Sequence, residues 1–388
     1  MSVVRTVPGP VPRPVARRRS RFVRGAARAV SAAVAAVVAA GLLGPAPAAT
    51  AAPAATAAPG PHAVNGATWI ADQVKQGRIH NNQFEFDDWG LTLDAYLALV
   101  ATRREAATAT RMIRTTTRHA DEYVQIDGKF LAGATAKLLL SLRVARRDAA
   151  IPVNGDAVNL RGRLLTMVAP SGRVRDEGTE DYSSTLTQSL AVLAFSRSGR
   201  APQKVVNYLL RQRCHAGYFR EALRNRTCAK AGSAPYVDST AFALQALVAA
   251  HADGADVPRG VVGRTAAWLR QVQNPNGAWG APATDQDLNT NTTGLAAQAL
   301  GAMPDSRRNE RAIDAAARYV GRQQITRARA DGGPAADEVG AIARNRAGLD
   351  QALENGIRKG TRDSFRRATA QALFALVPVP LGKLKIPR

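Results

Sequence analysis

Six stretches of the chain are apolar on nearly every helical position and share one pattern, a threonine followed six and seven places later by a small residue and an aliphatic one. They are Thr92-Leu-Asp-Ala-Tyr-Leu-Ala-Leu99, Thr135-Ala-Lys-Leu-Leu-Leu-Ser-Leu142, Thr185-Leu-Thr-Gln-Ser-Leu-Ala-Val192, Thr240-Ala-Phe-Ala-Leu-Gln-Ala-Leu247, Thr293-Gly-Leu-Ala-Ala-Gln-Ala-Leu300 and Thr369-Ala-Gln-Ala-Leu-Phe-Ala-Leu376. The threonines recur at intervals of 43, 50, 55, 53 and 76 residues, so one unit repeats along the chain. A segment that is apolar all round belongs to a helix buried on every side, which makes these inner helices. Small residues at the first, fourth and seventh places share one face and let neighbouring helices approach closely.

Between the inner segments lie amphipathic ones with arginine on one face. An aromatic and an aliphatic residue stand near the end of five of them, as Trp69-Ile70, Tyr123-Val124, Tyr208-Leu209, Trp268-Leu269 and Tyr319-Val320, with Leu164-Leu165 in the other. These are predicted outer helices. Alternation of the two kinds predicts an all-α fold, an α6/α6 double ring closed on itself, and strand signals are nearly absent.

The fifth outer segment ends in Trp268-Leu-Arg-Gln-Val-Gln273-Asn-Pro-Asn-Gly277-Ala-Trp279. Aromatic-aliphatic-x3-Gln-x3-Gly-x-Trp resembles the QW repeat of the terpene cyclase and protein prenyltransferase α/α-toroid superfamily. A weaker copy runs from Tyr208 through Gly217 to Phe219, and Gly128-Lys-Phe130 has the look of a remnant. The resemblance covers about residues 66–377. It implies a structural role for Trp268, Gln273, Gly277 and Trp279, the glycine permitting a tight turn off the outer helix.

The chemistry of that superfamily fits less well. Protonation-initiated terpene cyclases resemble one another in an Asp-x-Asp-Asp-Thr-Ala run whose middle acid is kept protonated by its neighbours. No inner helix here carries the triple; before Thr240 the three places read Tyr236, Asp238 and Ser239, and Asp285-Gln-Asp287 supplies only a displaced fragment. At 5% aromatic the chain is poor in the rings that stabilise carbocations. The Asp-x-Cys zinc pair of the prenyltransferases and the Cys-Gly-Glu-Gln run of thioester domains are both missing. No metal or cofactor is expected.

Parallel inner helices would open all their N-termini at one end, where unsatisfied N–H groups gather. Asp87, Asp88, Trp89, Asp181, Tyr182, Tyr236, Asp238, Asn289 and Asn291 stand at those starts. Helix capping accounts for Asp, Ser and Asn there, but together the residues make a polar, aromatic rim suited to a ligand with hydroxyl or amide groups. Two functions follow. One is a secreted, non-catalytic binding module for a small or polymeric polar ligand, by resemblance to the toroid domain of cobalamin carriers. The other is a carbohydrate-active enzyme using a pair from Asp88, Asp181 and Asp238.

Residues 1–51 carry eight arginines, no acid, an apolar run and then Ala46-Pro-Ala48 and Ala49-Thr-Ala51, the order of a secretory signal. Residues 52–65 read as an Ala/Pro-rich linker and 66–388 as the ring. Removing the signal takes the formal charge from +23 to 23 − 8 = +15. An extracellular protein has no nucleic acid as its expected partner; weak attraction of its basic exterior to anionic cell-envelope polymers replaces that reading. Nothing after the signal is long and apolar enough for a membrane span. Outside the cell, Cys214 and Cys228 favour a disulfide over free thiols or a metal site. The last interval carries an insert, about 324–360, with an extra helix expected over 335–357, and either a binding loop or lid or a mere surface decoration as its role.

Overall fold

The structure is a computed structural model and describes residues 58–228, 234–283, 287–304 and 306–386. Contacts divide the chain at residue 56, and every described residue belongs to the second unit. The proposed signal and the start of the linker lie outside the described residues. In chain order the second unit runs α1 (Pro61–Asp72, outer), α2 (Trp89–Thr102, inner), α3 (Ala106–Arg118, outer), α4 (Asp121–Val124), α5 (Ala132–Val144, inner), α6 (Leu160–Thr166, outer), α7 (Thr185–Arg197, inner) and α8 (Gln203–Arg211, outer). It continues α9 (Val237–Ala252, inner), α10 (Val261–Gln271, outer), α11 (Thr290–Leu300, inner), α12 (Arg307–Arg322, outer), α13 (Arg327–Ala330), α14 (Arg346–Asn355) and α15 (Lys359–Leu376, inner).

Each inner helix packs on the next, α2 on α5, α5 on α7, α7 on α9, α9 on α11 and α11 on α15, and α15 returns onto α2. The inner ring therefore closes. The outer helices sit against it, α1 on α15 and α2, α8 on α7 and α9, α12 on α11 and α15. Burial follows the predicted patterns: Leu91, Leu93, Ala95, Tyr96, Ala98 and Leu99 are all fully covered along α2, so its apolar residues face neighbours on every side. Each leucine among them is worth about 1.5–3 kcal/mol on burial.

Short hairpins join the layers. They are β1 (His80–Asn81) with β2 (Phe86–Asp87), β3 (Gln125–Ile126) with β4 (Lys129–Phe130), β5 (Ala150–Val153) with β6 (Asp156–Asn159), and β7 (Trp279–Gly280) with β8 (Leu288–Asn289), all antiparallel.

In four of the six units the repeat threonine is a bolt between layers, whereas the buried hydroxyls of Thr135 and Thr185 have no hydrogen-bond partner among the described residues. In those four, Oγ1 accepts from the backbone N–H that ends the turn off an outer helix, from Ile79 to Thr92 at 2.9 Å, Phe219 to Thr240 at 2.9 Å, Trp279 to Thr293 at 3.0 Å and Ile342 to Thr369 at 2.9 Å. The same hydroxyl donates one turn back, as from Thr240 to the Tyr236 carbonyl at 2.6 Å. In the QW turn, Gln273 Nε2 donates to the carbonyls of Gly277 (3.0 Å) and Ala312 on α12 (2.9 Å), while fully buried Trp279 donates from Nε1 to the Leu269 carbonyl at 2.7 Å. Gly277 has φ +95°, and a Cβ there would lie 2.2 Å from the Ala315 carbonyl oxygen, so only glycine fits.

A second lock of this design was hidden in the sequence. Gln324 Nε2 donates to Gly340 O (3.0 Å) and His62 O on α1 (2.9 Å), and at Gly340, with φ +105°, a Cβ would meet Asn65 O at 2.2 Å. It joins the last outer helix to the first. Its glutamine and glycine are separated by α13 and a single 3-10 turn, Ala336–Glu338. The insert is thus in part a lengthened QW turn. The helix expected over 335–357 shrinks to α14, because Gly340 must adopt its left-handed backbone to dock and Asn345 caps the new start through Gly348 N at 3.0 Å. At the N-terminus α1 opens at Pro61, inside the stretch read as linker, with proline pre-set for a first helical turn. A disulfide joins Cys214 and Cys228, whose Cα atoms are 4.5 Å apart. Among the described residues no helix is long and apolar enough to cross a membrane.

Candidate functional site

Inside the inner ring lies a chamber of about 180 Å³ whose wall draws on all six inner helices. α2 contributes Asp94 and Leu97, α5 Lys137, α7 Leu186 and Leu190, α9 Asp238 and Phe242, α11 Leu295 and Gln298, and α15 Gln371 and Phe374. Apart from Leu186 and Asp238, these residues stand two or five places after the repeat threonine of their helix. Asp238 stands two places before it, one turn nearer the helix starts.

The C-terminal tail closes the far end. Residues 377–386 cross the C-terminal ends of the inner helices: Arg197 donates to Gly382 O (2.8 Å) and Leu384 O (2.6 Å), Gln298 Nε2 to Val379 O (2.9 Å), Leu381 N to Gln245 Oε1 (2.9 Å), and Ile386 N to Val144 O (3.0 Å). Leu381 is thereby set as part of the chamber wall.

Two charged features meet in an otherwise mostly apolar space. Lys137 Nζ sits 2.5 Å from Asp94 Oδ1 and donates to Gly90 O at 2.8 Å, so that pair neutralises itself. Asp238 has no such partner. The residue is part-buried, but its Oδ1 is sealed from solvent without a hydrogen-bond donor among the described residues. Burial, with the charges of Glu221 and Asp287 added, pushes its pKa up to about 6 against the weaker pull of the Thr292 hydroxyl and Arg344. Arg344 itself grips Asp287 through both carboxylate oxygens, at 2.6 and 2.8 Å.

No protein-family model matches the chain, and neither does any curated protein. Solved structures do match. A protein from Actinoplanes aligns at 18% identity and TM-score 0.51 over 82% of this chain and 98% of its own. A variant of the type II terpene cyclase MstE from Scytonema, in complex with geranylgeranyl dihydroxybenzoate, aligns at 14% and 0.53 over 81% and 96%. An unsaturated glucuronyl hydrolase specific for heparin aligns at 12% and 0.54 over 82% and 94%. The described unit is an α/α toroid.

At these identities the likeness speaks of fold, so the toroid's own residues must carry the rest. The rim residues divide. Asp88 caps α2 by accepting from Leu91 N at 2.8 Å and pairs with Arg367 from α15. Trp89 is buried against His119, ring centroids 5.2 Å apart, and donates to Glu122 at 3.1 Å. Asn289 caps α11 through Thr292 N at 2.8 Å, and Asn291 donates to Gln371 Oε1 at 2.9 Å. Asp181 organises the loop before α7: burial pushes its carboxyl up, but the Ser183 hydroxyl, the N–H groups of Ser183 and Asp176 and the charge of Arg173, 2.7 Å away, outweigh that and hold it below the usual range. Tyr182 is exposed, and its hydroxyl donates to Glu180, which raises its pKa. Tyr236 is part-buried at the start of α9, its pKa raised by burial. Asp87 pairs with Arg78 at 2.5 Å; Asp285 lies outside the described residues.

Of the three acids singled out from the sequence, only Asp238 reaches the chamber; Asp88 and Asp181 do not line it. Sequence reasoning missed Asp94, Lys137, Gln371, Phe242 and Phe374. For all but Phe374, which stands five places after Thr369, the signal was present: the second place after each repeat threonine reads Asp, Lys, Thr, Phe, Leu and Gln, a varied and partly polar position inside otherwise apolar helices. Glu221 gave no local sign, and Asp287, seen in the sequence only as part of a displaced acid fragment, acts on Asp238 from a neighbouring segment.

Proposed function

We propose that the toroid is an exported binding module and that its chamber holds a small ligand with an apolar body and one polar group, engaged by Asp238. The observation that carries this reading is Asp238 itself, a carboxyl on a mostly apolar wall with one oxygen lacking any donor among the described residues. Volume sets the size class. About 180 Å³ compares with the roughly 150 Å³ that takes up benzene in an engineered cavity and falls below the roughly 300–1,000 Å³ of drug-sized sites. A single-ring body fits, whereas a long polyprenyl chain or an oligosaccharide does not fit inside. Export is supported by the basic, apolar and small-residue order of residues 1–51 and by the disulfide; N-terminal sequencing of secreted protein tests it, and a start at Met1 or Ser2 overturns it.

A second reading, acid catalysis, is favoured by one feature. Asp238 occupies the place, two before the repeat threonine, at which the cyclases that this chain resembles keep their proton-donating acid. The flanking acids are missing from its helix, yet Glu221 and Asp287 supply negative charge from other segments. A glycosidase-like mechanism would draw on the same raised carboxyl as its acid.

Calorimetry with a panel of ring-sized alcohols, amines and acids, on wild type and Asp238→Asn, tests the binding reading. At least one ligand should bind wild type tenfold or more tightly than the variant; equal affinities across the panel would overturn the role of Asp238. Turnover of small isoprenoids or glycosides that disappears in Asp238→Asn would replace the binding module with the enzyme.

A further inference from the structure

On the outside of the ring, α3 carries three arginines and no acid. Arg111, Arg114 and Arg118 stand at i, i+3 and i+7, one face of the helix, over a rise of about 10.5 Å. Together with Arg147 from beyond α5 they line a groove of about 810 Å³. All four residues are exposed, and among the described residues none of them makes an ion pair. No carboxylate lines the groove, although Glu105, Asp148 and Asp156 are near in sequence. Like charges at these spacings destabilise a helix. Among the described residues the row therefore stands uncompensated.

The lining defines what would compensate it. The charges are all guanidinium groups, whose planar forks match phosphate oxygens, and Thr110 adds a hydroxyl to the same wall. A row of charges along a concave groove suits a linear chain. No aromatic side chain lines it, so nothing there stacks nucleobases. We propose that this groove binds a linear, base-free phosphodiester polymer, a chain of polyol phosphate units lying along α3. The site is separate from the chamber and its function does not depend on Asp238.

The experiment uses the secreted protein, a poly(glycerol phosphate) chain and two charge-matched variants. One replaces Arg111, Arg114, Arg118 and Arg147 with glutamine; the other replaces Arg307, Arg308, Arg311 and Arg318, exposed along α12, in the same way. Circular dichroism and melting first establish that both remain folded, and single Arg→Gln variants along α3 replace the quadruple if it does not. Affinity is measured across salt concentration. The groove variant should lose tenfold or more, with the salt slope falling by about 3, while the α12 variant changes less than twofold. Equal losses in both variants would reduce the effect to net charge and overturn the site. Tighter binding of single-stranded DNA, polyglutamate or anionic lipid vesicles than of poly(glycerol phosphate) would overturn the assigned partner.

Discussion

Gln273 and Asp238 are both polar side chains set beside inner helices of the same ring, and they are in opposite states. Gln273 has both amide protons committed, one to the Gly277 carbonyl of its own turn and one to the Ala312 carbonyl on α12. Asp238 has an oxygen out of solvent with no donor and a pKa displaced to about 6. A buried polar group that is fully satisfied holds structure; one left short of partners carries a cost that folding alone does not explain. What sets Asp238 apart from the other buried groups without a partner, such as the Thr135 and Thr185 hydroxyls, is its place on the chamber wall and its raised pKa.

The largest effect expected from breaking the contrast is on the lock side. Trp279→Ala removes a fully buried indole and its bond to Leu269 O, and should lower stability by about 3–5 kcal/mol in denaturant unfolding; a loss under about 1 kcal/mol would mean that the QW turn does not hold the layers. Gln273→Ala strands the Gly277 carbonyl and removes the tie to Ala312 on α12, and should cost about 1–3 kcal/mol. If the hidden lock works in the same way, Gln324→Ala falls in the same range, and a neutral result there would separate the two.

On the chamber side the effect has a pH signature. Asp238 has its folded pKa raised above the ordinary 3.8, so its contribution to stability is fully present below about pH 4 and is lost as pH rises through about 6. Allowing for its partial exposure, the loss is about 2 kcal/mol. Asp238→Asn should abolish that slope and exceed wild type in stability at pH 7. Asp181 gives the opposite sign, its lowered carboxyl supporting the fold above its unfolded pKa and ceasing to as pH falls. Because it is a rim pair with Arg173, Asp181→Asn should cost no more than about 1 kcal/mol at neutral pH.

What could be read from the sequence followed what is local. The inner and outer helices, the repeat threonine and the lock at Gln273 all announce themselves within a dozen residues, because helix periodicity and a tight turn are short-range demands. The lock at Gln324 and Gly340 was missed because a short helix interrupts its motif. The charge around Asp238 was missed for a deeper reason: Glu221, Asp287 and Arg344 come from three separate segments and meet only when the ring closes. Asp88, Asn289 and Asn291 were visible as rim residues, and the capping expected of Asp and Asn there holds for Asp88 and Asn289, whereas the Asp88 pair with Arg367 and the Asn291 bond to Gln371 appear only in three dimensions.

The central claim is that Asp238 is held as an uncompensated acid on the wall of a ligand chamber. Titrating its carboxyl ¹³C resonance, assigned by comparison with Asp238→Asn, from pH 3 to pH 8 tests that claim most directly. The account predicts a midpoint near 6, moving when a chamber ligand is added. A midpoint at the ordinary value of 3.8, unmoved by any ligand, would contradict it.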